Sequence, residues 1–541
     1  MKKKIFSLFI LFLIIAIFMR IAGLDAPLFS DEIHLKEKTI ENIQHIVHKS
    51  PPLSTEILKM FGPDTVHLRL FSLICNILTL FIIYNLSKKI YNKKTLFFSF
   101  FLYVFSFYSI LSSLIITDEP LLIFLFTLCF FFYLKYEKTK SRLSYILSGI
   151  VLGLILLTKY TGILVFIILS LYKLITSRNL LKTIINLSPI FIIALIIFSI
   201  FPIMDYNLFL FTLNNLFRST TGETISILSK LVILILWTTP LLLGLALLSL
   251  FKIEKKDLLF WIWIIIVLSF NLFIMPRGGF SEYFMILLPP LIILSSKYLS
   301  TIKLDKKYIP LGFISFIIFY ITFIILNLNS RIMFPHIIGN YFNAVKHLNF
   351  NFMLPYAINA SSWFGVSFLA ILFMLILSFF FFFILILFKQ YRKIALILFI
   401  SLGLSYNLFL DGEYLLHLSQ PDIDKIIYEM VDYTKENNLK YPVYTTNKAI
   451  SDQIYDYKLY PDRIKIMQYR IDDKTIDYFS DNLSKEGGTI VFLDFTAKIK
   501  KEDLDKIENC NLIKTFSDKG QTLGYIYECF MNVKTDIQTT S

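Results

Sequence analysis

An acidic pair stands directly after the first long apolar run of the chain. Leu28-Phe29-Ser30-Asp31-Glu32-Ile33-His34 reads as a helix start with Ser30 as its N-cap. A carboxylate at such a place is held ionised, the state from which it can accept a proton, although an acidic pair there more commonly only complements the helix dipole. A second pair, in Ile116-Thr117-Asp118-Glu119-Pro120, precedes a later apolar run, where the plainer reading is a helix start with proline at an early position. Two cations flank these carboxylates in sequence. Lys49 adjoins the stiff corner Ser50-Pro51-Pro52-Leu53, and Arg69 enters an apolar segment within Val66-His67-Leu68-Arg69-Leu70-Phe71-Ser72. An arginine at that depth is costly and needs an anion, for which a lipid phosphate or an intramolecular carboxylate would both serve.

These residues are carried by a membrane protein. Of 541 residues 56% are hydrophobic, the mean hydropathy is +0.67, and no soluble core of this size could hide so much apolar surface. A water-soluble enzyme is excluded. A mainly α, polytopic fold is expected, with about thirteen transmembrane helices: residues 5–19, 67–86, 95–113, 120–134, 143–158, 161–176, 183–201, 230–250, 258–275, 283–299, 309–328, 364–388 and 393–410. The first run follows Met1-Lys2-Lys3-Lys4, but no small-x-small cleavage site comes after it, so it reads as a retained span. Alternate loops, from Lys88 to Lys94, Lys135 to Arg142, Lys173 to Lys182, Lys252 to Lys256, Lys297 to Lys307 and Lys389 to Lys393, are rich in lysine and arginine and belong in the cytoplasm. That places the N-terminus inside and residues 23–66, 202–229, 329–363 and the tail from Asp411 outside. The formal net charge of +14 is mostly this cytoplasmic excess, since residues 411–541 carry 17 basic and 23 acidic residues, and it implies no nucleic-acid partner. Scarce alanine beside abundant isoleucine, lysine, phenylalanine and asparagine suggests an AT-rich prokaryotic genome, and so the plasma membrane.

The expected division is a transmembrane domain over 1–410 and an extracytoplasmic α/β domain over 411–541. The latter shows strand-like runs at Pro442-Val443-Tyr444-Thr445, Thr489 to Leu493 and Leu512 to Thr515, and an amphipathic helix near Asp422 to Asn437. Cys75 and Cys129 fall inside spans as small apolar residues. Cys510 and Cys529 differ: a hairpin closed by Lys519-Gly520 would set them opposite each other. A disulfide is then sterically allowed, though the strict register gives a hydrogen-bonded pair, which is not the favoured site.

Taken in order, the acidic pair after the first span, the basic residue near Pro51-Pro52-Leu53, Arg69-Leu70-Phe71-Ser72, Thr117-Asp118-Glu119-Pro120, Gly149 to Gly153 and Leu157-Thr158-Lys159-Tyr160-Thr161-Gly162 resemble the GT-C glycosyltransferases. Within that superfamily they are most similar to the branch of protein O-mannosyltransferases and aminoarabinose lipid A transferases. The likeness is concentrated in about residues 20–165, and Glu282-Tyr283-Phe284-Met285-Ile286-Leu287-Leu288-Pro289-Pro290 resembles that branch's tyrosine-leucine-proline stretch. Two departures stand out: Ser50 separates the basic residues from Pro51, and Ile33-His34 stands where aromatic residues usually follow the acidic pair.

The resemblance implies a polyprenyl-phosphate sugar as donor and, as acceptor, a hydroxyl on protein, lipid or glycan. Asp31 would be the base, with Glu32 and Asp118 orienting the acceptor or supporting a basic residue. Lys49, Arg69, Lys159, Arg218 and Arg277 are the phosphate candidates, the last three resting on their external position alone. Glu119 and His336 complete the binding residues, His336 being more commonly a surface histidine. Lysine and arginine can hold one phosphate without a divalent ion, so an inverting, metal-independent transfer without cofactor is expected. A rival class, a lipid or solute transporter or flippase, would place ionisable groups near the bilayer midplane and show repeated halves.

Overall fold

The computed structural model describes residues 10, 14–24, 32, 35–36, 51–219, 226–275, 281–302, 306–330, 343–356, 364–437, 439, 442–445, 464–466, 483, 487–494, 501–505 and 510–530. The chain divides into two compact units, one built from residues within Met1–Asp25, His34–Ile321 and Phe373–Asp411, the other including Thr322–Leu372 and Gly412–Ser541.

The first unit is helical. A short α1 (Leu53–Lys59) leads into α2 (Thr65–Ile90), followed by α3 (Lys93–Val104), α4 (Phe107–Leu114), α5 (Glu119–Thr139), α6 (Arg142–Thr158), α7 (Ile163–Ser177), α8 (Leu180–Phe198), α9 (Tyr206–Ser219), α10 (Ile227–Ser249), α11 (Leu258–Ser269) and α12 (Leu288–Thr301). Three more long helices, α13 (Ile309–Leu328), α14 (Phe368–Leu387) and α15 (Arg392–Leu416), complete the membrane region. Among the described residues ten helices are long and apolar enough to cross a membrane. The expected thirteen exceed this by three for identifiable reasons. About half of the first run lies outside the described residues, α6 has only 17 residues, and the segment expected as one span over 95–113 is the pair α3 and α4, bent by 59°. In the Glu282–Thr301 segment 89% of the residues of its most apolar 18-residue window are buried, whereas in Ile309–Leu328 the share is 11%, as a lipid-facing helix would show.

Two helix interruptions meet inside this unit. Helix α10 breaks at Thr239, directly before Pro240, where φ 58° and ψ 147° lie outside the helical region. Proline disfavours the helical conformation of its predecessor, but the positive φ of a β-branched residue is strained and is not explained by the proline. Trp237, just before that break, stacks on Phe107 and Tyr108 at the start of α4, with ring centroids 5.6 and 6.2 Å apart.

The second unit contains a two-stranded antiparallel ribbon, β1 (Met353–Tyr356) with β2 (Phe364–Ser367), and a five-stranded sheet. Its strands are β3 (Val443–Thr445), β4 (Ile464–Ile466), β5 (Gly488–Leu493), β6 (Cys510–Asp518) and β7 (Gln521–Cys529), in spatial order β4-β3-β5-β7-β6. Strand β3 runs parallel to β4 and β5, while β7 is antiparallel to both β5 and β6. The amphipathic helix expected near Asp422 to Asn437 is α16 (Ile423–Glu436), capped by the Asp422 side chain. Its apolar stripe of Ile423, Ile426, Ile427 and Met430 packs on Val443, Val491, Phe516 and Ile526. Cys510 and Cys529 are register partners across the β6–β7 hairpin and are joined by a disulfide. The turn falls at Lys519 and Gly520, both at positive φ (48° and 75°), as a tight hairpin of this kind demands. Cys75 and Cys129 are free and buried.

Candidate active site

One face of α2 carries Arg69, Ser72, Asn76 and Thr79, polar residues at helical spacing within an otherwise apolar span, and all four are buried. Three of them hold neighbouring segments, while Thr79 Oγ1 donates to Cys75 O of its own helix. Arg69 Nη1 donates to the carbonyls of Gly23 and Leu24 at 3.0 and 3.4 Å, immediately beyond the helical end of the first span. Ser72 donates to the carbonyl of Ile115 at 2.5 Å, two residues before Thr117. One turn on, Asn76 Nδ2 donates to Ser109 O and Ser112 Oγ, both at 2.8 Å, and its Oδ1 accepts from Arg20 Nε at 3.2 Å. Arg20, 2% exposed, also donates to Ala16 O and Ser109 Oγ. A single helix face thus ties the exit of the first span to the turn that precedes the second acidic pair.

That turn presents Asp118 and Glu119 at the start of α5, with Pro120 in its first turn, where its missing N–H costs nothing. Both carboxylates are buried, Asp118 being 9% and Glu119 4% exposed. Glu119 forms an ion pair and hydrogen bond with Lys159. Lys159 is the extended residue between α6 and the 3-10 turn Tyr160–Gly162. Gly162 makes this corner feasible, since a Cβ there would sit 2.4 Å from Ile155 Cγ2. Lys159 Nζ also lies 4.8 Å above the ring of Tyr283, a cation–π contact that stabilises a desolvated ammonium. The backbone around Tyr283 is held by Asn271, whose Nδ2 donates to Tyr283 O at 3.2 Å, and Lys230 donates to the carbonyls of Asn271, Leu272 and Met275.

Of the residues singled out from sequence, Asp118, Glu119 and Lys159 therefore come together, with Asp118 near enough to act electrostatically on Lys159. Arg69 is buried and bound to carbonyl oxygens, a bracing contact. Glu32 is fully buried. Asp31, Lys49, Arg277 and His336 lie outside the described residues, and Arg218 lies in α9 with its side chain outside them. Sequence reasoning missed the roles of Tyr283, Ser72, Asn76 and Arg20. The signal for Ser72 and Asn76 was present, as a polar stripe at 3.6-residue spacing through an apolar span; for Tyr283 there was only its place in the tyrosine-leucine-proline stretch.

Residues 53–203 match the family model of dolichyl-phosphate-mannose-protein mannosyltransferases. Over nearly the whole chain the fold is similar to that of ArnT from Cupriavidus metallidurans bound to undecaprenyl phosphate. The TM-score is 0.59 at 12% identity, covering 96% of this chain and 97% of that one. The apo state of the same ArnT gives a TM-score of 0.57 at 13% identity, covering 96% and 98%. No curated protein matches the chain by sequence.

Proposed function

We propose that this protein is a membrane glycosyltransferase of the GT-C type that uses a polyprenyl-phosphate sugar, a reading supported by the family model over residues 53–203 and by the ArnT-like fold. The observation that carries this reading is the coincidence of the fold with the buried assembly of Glu119, Lys159 and Tyr283 beside Asp118. Buried ionisable groups in a membrane protein are costly and point to function. In the structural relative the bound ligand is undecaprenyl phosphate, a lipid of the donor's leaving-group class.

In the proposed reaction the hydroxyl oxygen of an acceptor protein, lipid or glycan attacks the anomeric carbon of the donor. The new C–O bond forms as the bond from that carbon to the phosphate oxygen breaks, and the electron pair leaves with polyprenyl phosphate. Asp31 accepts the hydroxyl proton. Asp118 and Glu32 orient the acceptor or a neighbouring cation, and Glu119 holds Lys159 in place. Lys159 and Lys49, with Arg69, Arg218, Arg277 and His336 as further candidates, offset the negative charge that grows on the phosphate. A single displacement inverts the anomeric configuration, and the cations take the place of a divalent ion at the reacting phosphate. The reaction belongs to the extracytoplasmic side of the plasma membrane, with the N-terminus inside and the C-terminal domain outside.

The test is Asp31→Asn in purified protein with polyprenyl-phosphate sugars and membrane extracts as acceptor. Transfer should fall by about a thousandfold or more, the scale expected when a positioned base is lost, while expression and membrane insertion stay at wild-type levels. Transfer at the wild-type rate by the Asn variant would refute the assignment of the base.

A further inference from the structure

The turn between α15 and α16, well apart in sequence from the residues above, gathers an imidazole and two carboxylates. His417 follows the last residue of α15, Asp422 caps α16 and Asp424 lies in its first turn. Ligand atoms of the three side chains all lie within 4.8 Å of one another. His417 Nε2 is 3.5 Å from Asp422 Oδ1. Two of the three side chains are shielded from solvent, His417 being 12% and Asp424 5% exposed, while Asp422 is 33% exposed. Nδ1 of His417 is buried without a hydrogen-bond partner, an expensive condition for a nitrogen with a lone pair or a proton to place.

The turn is fixed independently of these three side chains. The Glu413 carboxylate accepts from Ser419 N, Ser419 Oγ and Gln420 N at 2.9, 2.7 and 3.3 Å. Asp422 N donates to Asp518 Oδ2 at 2.9 Å, which ties the turn to the β6–β7 hairpin. The nearby cations are engaged elsewhere: Lys425 pairs with Asp518 at 3.5 Å, and Lys519 donates to Gln420 O at 2.9 Å. Asp422 uses Oδ1 to cap Lys425 N at 2.9 Å, so its Oδ2 can serve a further ligand without uncapping the helix.

We propose that His417, Asp422 and Asp424 form a structural binding site for a divalent first-row metal of the zinc class, which locks the turn between α15 and α16. One imidazole nitrogen with two carboxylate oxygens suits Zn2+, with water in the remaining position, whereas Mg2+ and Ca2+ favour all-oxygen sets. A site held rigid before the metal arrives loses little entropy on binding it. The metal stands outside the proposed transfer chemistry, so it bears on stability and takes no part in the displacement at the donor.

The experiment is metal analysis of the full chain, purified in detergent, supplied with Zn2+ and desalted. About one zinc per chain is expected, with content reduced about tenfold or more by His417→Ala and by Asp424→Asn. Intact far-UV circular dichroism and an unreduced Cys510–Cys529 disulfide show that the variants are folded. Cobalt substitution gives a second readout, with d–d absorption bands in the wild type that His417→Ala removes. Zinc content at background in the wild type, unchanged zinc in both folded variants, or retention of Mg2+ or Ca2+ in place of zinc would each overturn the proposal. None of these readouts depends on sugar transfer, so failure of the transferase reading leaves them intact.

Discussion

Glu119 and Lys159 show how a buried charge becomes tolerable at the scale of single residues. With side chains 5% and 22% exposed, Glu119 is buried and Lys159 part-buried, and Glu119 is the carboxylate paired directly with Lys159, with Asp118 acting on it from farther off. Glu119→Gln should cost about 3–5 kcal/mol of unfolding free energy, because it leaves an ammonium buried without its partner. The double variant Glu119→Gln/Lys159→Met should recover much of that loss, and denaturation of both in detergent measures the coupling. Equal instability of the single and double variants would show that the ion pair is not the source of the effect. The residues themselves were legible in the sequence, since charged groups at the edges of apolar runs stand out. Their partnership was not: the two lie 40 positions apart, and no local pattern selects Lys159 over other lysines. Arg69 illustrates the same limit. Its cost in an apolar span was evident, but its contacts include the carbonyls of Gly23 and Leu24, oxygens that every residue possesses and no side-chain motif advertises.

At the scale of elements, small residues decide which helices approach closely. Gly149 and Gly153 lie one turn apart on α6, and a Cβ at either would meet α8: Ile193 Cβ at 2.9 Å from the first, Ile197 Cβ at 2.6 Å and Ala194 O at 2.9 Å from the second. This is the small-xxx-small packing that lets helix backbones touch in lipid, where no hydrophobic drive draws helices together. Gly153→Val should therefore destabilise the protein by about 2 kcal/mol through overpacking, seen as a lower melting temperature in detergent, and an unchanged melt would refute the close approach. The glycine pair was visible in sequence; its partner helix was not. The bend between α3 and α4 went unseen for a related reason, since Phe105 and Ser106 carry none of the proline or glycine signals that mark a break. Helix α16 and the β6–β7 hairpin, by contrast, followed from period and turn chemistry, with the cap at Asp422 and the turn at Lys519-Gly520 both where those signals stand.

At the scale of the molecule, the proposed orientation makes a prediction that joins the charge pattern to the disulfide. In intact cells a membrane-impermeant maleimide should fail to label Cys510 and Cys529 in native protein and should label both after mild reduction from outside, as befits a bridge in an oxidising compartment. Labelling only after the membrane is permeabilised would reverse the orientation. The sequence by itself determined that the chain lives in a membrane, ten of the segments that are long and apolar enough to cross it, and which cysteines face each other across a hairpin. All of these depend on hydropathy, periodicity and turn residues within a few dozen positions. The tertiary structure decided that Glu119 neutralises Lys159 above Tyr283, that one face of α2 ties Gly23 and Leu24 to the turn before Asp118, and that His417 meets Asp422 and Asp424 in one turn. Such choices rest on which groups lose water together when helices pack, a property of the assembled fold that no single stretch of residues encodes.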